Sequence, residues 1–162
     1  MLKKMIAAAL ALMMVFALAA CGSADGGQSS EAPDLQAYYD DFMASLGNDA
    51  PMMMAIEGDM LEAAYPGLSA YTLKQSVLQM AGISAVAYEM ALVETESETD
   101  AQAVKEIFEA RVDSQIQGGA MYPATIEAWE NASVIQNGNV VALILAGEDQ
   151  TAAVDAFNAL FA

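Results

Sequence analysis

The sequence predicts an α+β fold in which helices pack on a mostly antiparallel sheet of four strands. Three observations predict this class. Helical and strand-like segments follow one another over residues 34–162 in the order α, α, β-β-α, α, β-β-α. One pair of strands flanks Asn137-Gly138, a strong signal for a two-residue hairpin. Each pair of strands leads through an acidic turn into a helix, so the domain also fits a description as two related β-β-α units.

The first two helices are predicted from apolar spacing and stop signals. The first begins after Asp34, which suits an N-cap, and ends at Gly47-Asn48. Its apolar stripe has the i, i+3, i+4, i+7 spacing of an amphipathic helix: Leu35, Tyr38, Tyr39, Phe42 and Leu46. A short helix near Asp59–Ala64 follows the Met52–Met54 run, and Tyr65-Pro66-Gly67 stops it.

The first pair of strands is predicted near Tyr71–Gln79 and Ser84–Glu94, with Ala81-Gly82 between them. In the first strand, Leu73, Gln75, Val77 and Gln79 lie on one face. The second carries apolar residues on both faces, which indicates a central strand covered on two sides.

The third helix is predicted to follow an acidic turn at residues 94–100. Thr99 and Gln102 lie three residues apart and resemble a capping box at its start. The helix is expected to run to about Gln117, because Gly118-Gly119 follows.

The last part of the chain repeats this order. Tyr122-Pro123 opens a short helix, Ser133–Gln136 and Asn139–Leu145 form the hairpin, and Thr151–Phe161 is the last helix. The third and the last predicted helices can be aligned over a few positions. Ala103-Val104, Ile107 and Arg111 of the third then correspond to Ala153-Val154, Phe157 and Phe161 of the last.

Residues 1–20 are predicted to be a lipoprotein signal peptide. Two lysines precede an apolar run from Met5 to Leu18, which is shorter than the roughly 20 residues that a membrane-spanning helix needs. Leu18-Ala19-Ala20-Cys21 resembles a bacterial lipobox, so we expect cleavage before Cys21 and lipidation of this single cysteine. The alternative is an ordinary secretory signal that leaves Cys21 as a free thiol.

This assignment divides the chain into three parts and gives its location. Residues 21–33 form the lipidated cysteine and a flexible tether rich in Gly and Ser, and residues 34–162 form a single α+β domain. We expect the protein to be held at the cell membrane by its lipid and to face outside the cytoplasm. Gly22 leaves open whether the host has one membrane or two.

The composition excludes several classes of function. Residues 21–162 hold three basic and 22 acidic side chains, a formal net charge of −19. Such a chain lacks the basic footprint that nucleic acid requires and the attraction to anionic lipid. Without histidine, and with its one cysteine expected to be lipidated, it offers no triad, thiol or His/Cys metal chemistry. No catalytic residue, metal site or cofactor is predicted, and a solvated acidic surface or a cationic partner explains the charge.

Several short motifs, each of low specificity by itself, occur in a specific order that resembles a known family. Besides the lipobox, tether and first helix, they are the Met52–Met54 run, Met60-Leu61 with Tyr65-Pro66-Gly67, Ala87–Ala91, Phe108–Arg111, Tyr122-Pro123 and Gly138-Asn139. Over nearly its full length the chain resembles the domain-of-unknown-function family 4358, small lipoproteins of Gram-positive bacteria. The resemblance implies a surface lipoprotein and no particular activity.

Arg111 and Glu89 are the candidate ligand-binding residues. On a helical wheel Arg111 falls on the apolar stripe that faces the sheet, where a charge needs a partner. Glu89 lies mid-strand between two alanines and is its natural partner. In the functional interpretation Arg111 meets a ligand carboxylate in a pocket and Glu89 assists. In the structural interpretation the two residues form a buried ion pair, or the stem of Arg111 packs while its guanidinium reaches water.

Three further groups of residues have a functional and a structural interpretation. The methionines suit Cu(I), an adaptable protein-binding surface, or core filling, which we favour. Alternating acids at Glu94, Glu96, Glu98 and Asp100 suit Ca²⁺ or a solvated turn, which we favour. Trp129 with Tyr122 suits sugar stacking, or a core or lid role.

These observations predict a binding module for a protein or a cell-envelope component. A small-ligand sensor with a pocket near Arg111 and Glu89 is the first alternative. An enzyme is the third, and it would depend on carboxylates for acid and base chemistry.

Overall fold

A five-stranded antiparallel sheet with helices on both faces forms the fold of residues 32–162, the part of the chain that the computed structural model describes. The strands are β1 (Met53–Ala55), β2 (Leu73–Ala81), β3 (Tyr88–Thr95), β4 (Ser133–Asn137) and β5 (Val140–Ala146), in the order β1-β2-β3-β5-β4. The helices are α1 (Leu35–Ser45), α2 (Asp59–Ala64), α3 (Glu98–Ser114), α4 (Pro123–Glu130) and α5 (Gln150–Ala159).

The predicted signal peptide, Cys21 and most of the predicted tether lie outside the described residues. Within residues 32–162, no helix combines the length and the apolar character needed to cross a membrane.

The α+β class is confirmed, but the prediction of four strands missed β1. This three-residue strand pairs with the end of β2, where Met53 lies opposite Ala81 and Ala55 opposite Gln79. A run of three methionines has no alternation to mark it as a strand. Its extended shape depends on backbone hydrogen bonds to β2, which is distant in sequence.

The two central strands are buried along their whole length, as the apolar composition of the second predicted strand indicated. On the first face of the sheet, Tyr88, Met90, Leu92, Val140, Ala142 and Ile144 pack under α1 and α5. On the second face, Ala91, Val93, Val141, Leu143 and Leu145 pack under α2, α3 and α4. Each face therefore has its own apolar core.

The two β-β-α units occur in the predicted order, but they are not copies of each other. α3 packs on the second face and α5 on the first. A rotation that carries one hairpin onto the other about an axis normal to the sheet would leave both helices on the same face. The shared apolar offsets therefore reflect two amphipathic helices rather than a structural repeat.

The chain joins the sheet at the end where β2 begins. The Gln75 side chain accepts a hydrogen bond from the Leu35 amide at 3.0 Å and donates one to the Pro33 carbonyl at 3.1 Å. Asp34 caps α1, as predicted, by accepting the Ala37 amide at 2.9 Å. The first turn of α1 is thereby fixed beside the Leu73 end of the sheet.

α3 begins and ends differently from its prediction. Its N-cap is Ser97, whose hydroxyl accepts the Asp100 amide at 3.1 Å, so Thr99 lies inside the first turn. Its C-terminal end passes into a π-helical turn, Gln115–Gly119, closed by the Ala120 amide on the Gln115 carbonyl at 2.9 Å. Gly118 has a φ of 151°, which favours glycine, and it ends the helical geometry where Gly118-Gly119 was expected to end the helix.

A candidate binding cavity at one end of the sheet

Glu89 is the buried carboxylate of the second face, and its exposed fraction is 1%. It lies on β3 among apolar neighbours, because alternate residues of that strand belong to the core under α3. A carboxylate taken out of water is costly unless it is paired and hydrogen bonded. Its surroundings therefore have to supply donors.

Arg111 supplies two of these donors. Its Nε donates to Glu89 Oε1 at 3.0 Å and its Nη2 donates to Oε2 at 2.7 Å. This is the side-on, two-point geometry that suits a guanidinium and a carboxylate. The helical position of Arg111 on the inner side of α3 brings the two predicted residues together across 22 positions of sequence.

Two aromatic residues that the sequence did not assign to the site complete it. The Tyr65 hydroxyl donates to Glu89 Oε1 at 2.6 Å, and the residue is fully buried. The guanidinium carbon of Arg111 lies 5.3 Å from the Trp129 ring centroid and 6.0 Å from that of Tyr65. Cation–π attraction therefore adds to the ion pair.

Burial and charge fix the protonation of Tyr65 and Arg111. Burial, with the charge and hydrogen bond of Glu89, raises the pKa of the Tyr65 hydroxyl well above its ordinary value. For Arg111, burial alone lowers the pKa, but the hydrogen bond and charge of Glu89, with Tyr65, raise it above its ordinary value. Tyr65 stays neutral and Arg111 stays cationic near neutral pH, so these two groups bind and orient rather than exchange protons.

A cavity of about 110 Å³ lies beside this pair at the Ala81 end of the sheet. Glu89, Arg111 and Trp129 line it with Thr125, Met80 and Leu145. Arg111 has five N–H groups and donates two to Glu89, and the described residues provide no other acceptor for it. Every buried side-chain nitrogen and oxygen in residues 32–162 has a hydrogen-bond partner, so Nη1 of Arg111, which has none, is accessible to solvent.

Exposed apolar side chains gather around this cavity. We call six of them the apolar rim: Met52, Met54, Ile83, Val86, Met121 and Tyr122. Val86, Met121 and Tyr122 line the cavity, and Met54 lies opposite Met80, which also lines it. The Met52 carbonyl accepts the Gly82 amide, next to Ile83.

The methionines divide between core and surface, so the expectation that they fill the core is correct only in part, for Met90 and for Met53 and Met80, which pack against the two cores. Met90 is fully buried, but Met52 and Met121 are each 75% exposed and Met54 is 41% exposed. The composition could not separate the two cases, because a methionine suits a core and a binding surface equally well.

An open groove of about 540 Å³ lies next to the cavity. The two depressions share the wall residues Val86, Ala87, Tyr88 and Thr125. Three carboxylate residues line the groove: Asp49, Glu148 and Asp149. We call this depression the acidic groove.

The acidic turn before α3 does not bring its carboxylates together. Glu94 is buried and accepts hydrogen bonds from Gln75 at 2.8 Å and Asn139 at 3.2 Å. Asp100 instead bonds to Ser97 at the start of α3. Within residues 32–162, no group of three or more acidic or Cys side chains is arranged to hold a metal ion.

A family model described as a domain of unknown function, DUF4358, matches residues 46–146. The matched segment contains the whole sheet and the three helices of its second face, and it stops short of α1 and α5. It includes Glu89, Arg111 and the apolar rim. No curated protein and no solved structure gives a significant match.

Proposed function

We propose that this chain, which belongs to the DUF4358 family, is a lipid-anchored, extracytoplasmic binding module that docks a protein partner at the apolar rim. The family description assigns no activity, so the proposal rests on the site itself. The observation that carries it is the gathering of exposed apolar side chains around a small polar-floored cavity. Exposed apolar patches mark interaction surfaces, and Met and aromatic residues are enriched in them.

The small volume of the cavity, beside a groove that is open to solvent, favours a macromolecular partner over an enclosed metabolite. Pockets for organic ligands usually measure about 300–1,000 Å³, and even benzene occupies an engineered cavity of about 150 Å³. At about 110 Å³, this cavity accepts one side chain of a partner and little more. The rim then supplies the surrounding contact area.

A cross-linking experiment on intact cells tests the docking surface. A photoactivatable residue at Met121 of the rim should trap a discrete protein, whereas the same residue at Met60 should not. Met60 is an exposed methionine that lines neither depression, so it is the matched control. Identical products from both positions, or none from Met121, Val86 and Met52, would argue against a partner at the rim.

Competition makes the experiment specific. An excess of the mature chain, residues 21–162 with Cys21→Ser, should abolish the Met121 product. The same chain carrying Met121→Ser and Tyr122→Ser should leave the product unchanged, because it lacks two exposed rim side chains.

The anchor is tested separately by Cys21→Ser. The lipobox-like stretch before Cys21 supports lipidation, and each buried CH₂ of an acyl chain contributes about 0.8 kcal/mol of membrane affinity. The variant should leave the detergent phase in phase partitioning, while the wild-type chain stays there. Continued partitioning of the variant into detergent would overturn the lipoprotein assignment.

A small-ligand sensor is the second candidate, and the N–H groups of Arg111 that Glu89 leaves unused favour it. A thermal-shift screen against amino acids, sugars and wall fragments tests this. A ligand at 100 times its dissociation constant adds about 2.7 kcal/mol of stability. The three hydrogen bonds that Glu89 accepts favour a structural role of this carboxylate over the role of acid or base in an enzyme.

A further inference from the structure

We infer that the partner presents a basic, extended segment, with an apolar side chain in the cavity and a lysine or arginine in the acidic groove. This inference rests on the proposed docking function and adds the chemistry of the occupant. Four observations carry it: the common wall of the two depressions, the groove carboxylates that have no cationic partner in residues 32–162, the charge of the whole chain, and the donors left on Arg111.

The cavity and the acidic groove adjoin each other, and we call the two together the furrow. They share Val86, Ala87, Tyr88 and Thr125 along their common wall. A segment lying along the furrow therefore contacts the apolar walls over Arg111 at one end and the carboxylates at the other. An extended chain suits this path, since every second side chain points to the same face, so residues i and i+2 can enter the two depressions in turn.

The carboxylates of the groove lack cationic partners within residues 32–162. The salt bridges of that region join Lys74 to Glu94, Lys105 to Glu109 and Arg111 to Glu89. These three are the basic residues of the described part, and each is already paired. Glu148 and Asp49 are exposed at the groove, so a partner's ammonium or guanidinium group can reach them.

The same charge disfavours the other occupants of an apolar surface. A second copy of a chain with a formal net charge of −17 would bring two acidic grooves together. Anionic lipid and nucleic acid would meet the same repulsion. Of the partners that an apolar rim accommodates, a basic protein segment is the one whose charge complements the groove.

The floor of the cavity selects a neutral acceptor. Glu89 occupies the Nε side of the Arg111 guanidinium and neutralises its charge, which leaves the Nη1/Nη2 edge for another acceptor. A second carboxylate there would lie close to that of Glu89. A backbone carbonyl of the partner supplies an acceptor without that repulsion.

Trp129 provides the readout, because it is the single tryptophan of the chain and lines the cavity. The probes are three end-capped heptapeptides of the pattern Leu-Ser-Xaa-Ser-Leu-Ser-Xaa, in which Xaa is lysine, glutamine or glutamate, so that leucine and Xaa share one face of the extended chain. The protein is the mature chain, residues 21–162 with Cys21→Ser. Tryptophan fluorescence is followed as each peptide is added.

The lysine peptide should shift Trp129 fluorescence saturably, the glutamine peptide more weakly, and the glutamate peptide not at all. Replacing the three groove carboxylates (Asp49→Asn, Glu148→Gln and Asp149→Asn) should raise the Kd of the lysine peptide about tenfold. The control removes the same charge at exposed positions outside the furrow (Glu106→Gln, Asp113→Asn and Asp155→Asn) and should change the Kd less than about twofold.

Equal affinity for the lysine and glutamine peptides, equal effects of the two triple variants, or no response to any peptide would each overturn the inference. The cross-link at Met121 then distinguishes the two claims. If that cross-link persists and is competed away, docking stands and only the basic segment is wrong. If it is absent, the proposed function fails as well.

Discussion

Glu89 places a buried negative charge on the second face of the sheet, so the stability of that face depends on the groups that bond to it. Its carboxylate is almost fully buried and is held by Arg111 and Tyr65. The free-energy cost of burying the charge is offset only while those donors remain. Removing one partner should therefore be worse than removing the whole ionic pair.

Arg111→Met should lower the free energy of unfolding by about 3–5 kcal/mol, because it leaves Glu89 buried without its cation. Glu89→Leu combined with Arg111→Met should recover most of that loss. A residual cost of about 1–3 kcal/mol is expected from the Tyr65 hydroxyl, which then lacks its acceptor. Urea unfolding of the three proteins measures these differences, and a double variant as unstable as the single one would contradict the pairing argument.

Tyrosine ionisation should make the fold sensitive to alkali. Burial raises the pKa of Tyr65 above its ordinary value of 10.0, with Glu89 adding to the effect, and burial likewise raises the pKa of Tyr38 and of Tyr88. Below pH 10 both the folded and unfolded chains keep these protons, so this stability is fully present. Above pH 10 the unfolded chain releases them first, and stability falls by about 1.4 kcal/mol per pH unit for each such tyrosine.

Urea unfolding between about pH 8 and pH 11 measures this slope. Tyr65→Phe should make the decline shallower, whereas Tyr122→Phe, at an exposed position of the rim, should leave it unchanged. An identical slope in all three proteins would show that Tyr65 is not held neutral by its surroundings.

The sequence predicted part of the site at this scale. Arg111 was the one cation on an apolar helical stripe, and Glu89 the acid in the middle of an apolar strand, so each departed from a local pattern. Tyr65 and Trp129 fit their local patterns, as a turn residue and as an apolar helix residue. Their contacts with the ion pair depend on how distant segments pack, which periodicity does not encode.

At the scale of elements, helix starts depend on a single side chain. Ser97 caps α3 through the Asp100 amide, whereas Thr99 lies one residue inside the helix. Ser97→Ala should therefore cost about 1 kcal/mol of stability, and Thr99→Ala less than about 0.5 kcal/mol. Thermal unfolding of the two variants compares them directly, and a larger loss from Thr99→Ala would move the cap to the position that the sequence pattern favoured.

Element order was predictable, but element ends were less so. α2 begins and ends where its flanking signals placed it, because Tyr65-Pro66-Gly67 forces the chain to turn. α3 instead ends at Ser114, since the π-helical turn that follows still has an apolar, helix-like pattern. The three-residue β1 has no pattern of its own, and its pairing with β2 was not predictable from Met52–Met54.

At the scale of the whole molecule, the excess of acidic residues dominates the surface. Self-repulsion of a formal net charge of −17 destabilises the compact state, and salt screens it over a Debye length of about 10 Å at 0.1 M and 3 Å at 1 M. We expect the Tm to rise as NaCl is added. Replacing Glu106, Asp113 and Asp155 by their amides should raise the Tm at low salt and weaken the salt response, and an unchanged Tm across the series would show that repulsion is negligible.

The distribution of helices over the two faces is the part of the architecture that the sequence left open. Both long helices follow a hairpin and both have an apolar stripe, yet they pack on opposite faces. The face that each helix covers depends on which face the neighbouring helices already occupy. The family match spans the sheet and its second face, so the first-face helices α1 and α5 lie outside the segment that carries the cavity.

The hydrogen bonds of Gln75 to Pro33 and Leu35 have a practical consequence for experiments. They hold Pro33 and Leu35 at Gln75, near the Leu73 end of β2 and about 20 Å along the strand from Ala81. In a protein coupled to a sensor chip, bead or carrier through residues before Pro33, the chain therefore enters the described domain at the opposite end of the sheet from the furrow. Surface-based affinity measurements can use that coupling without masking the surface under test.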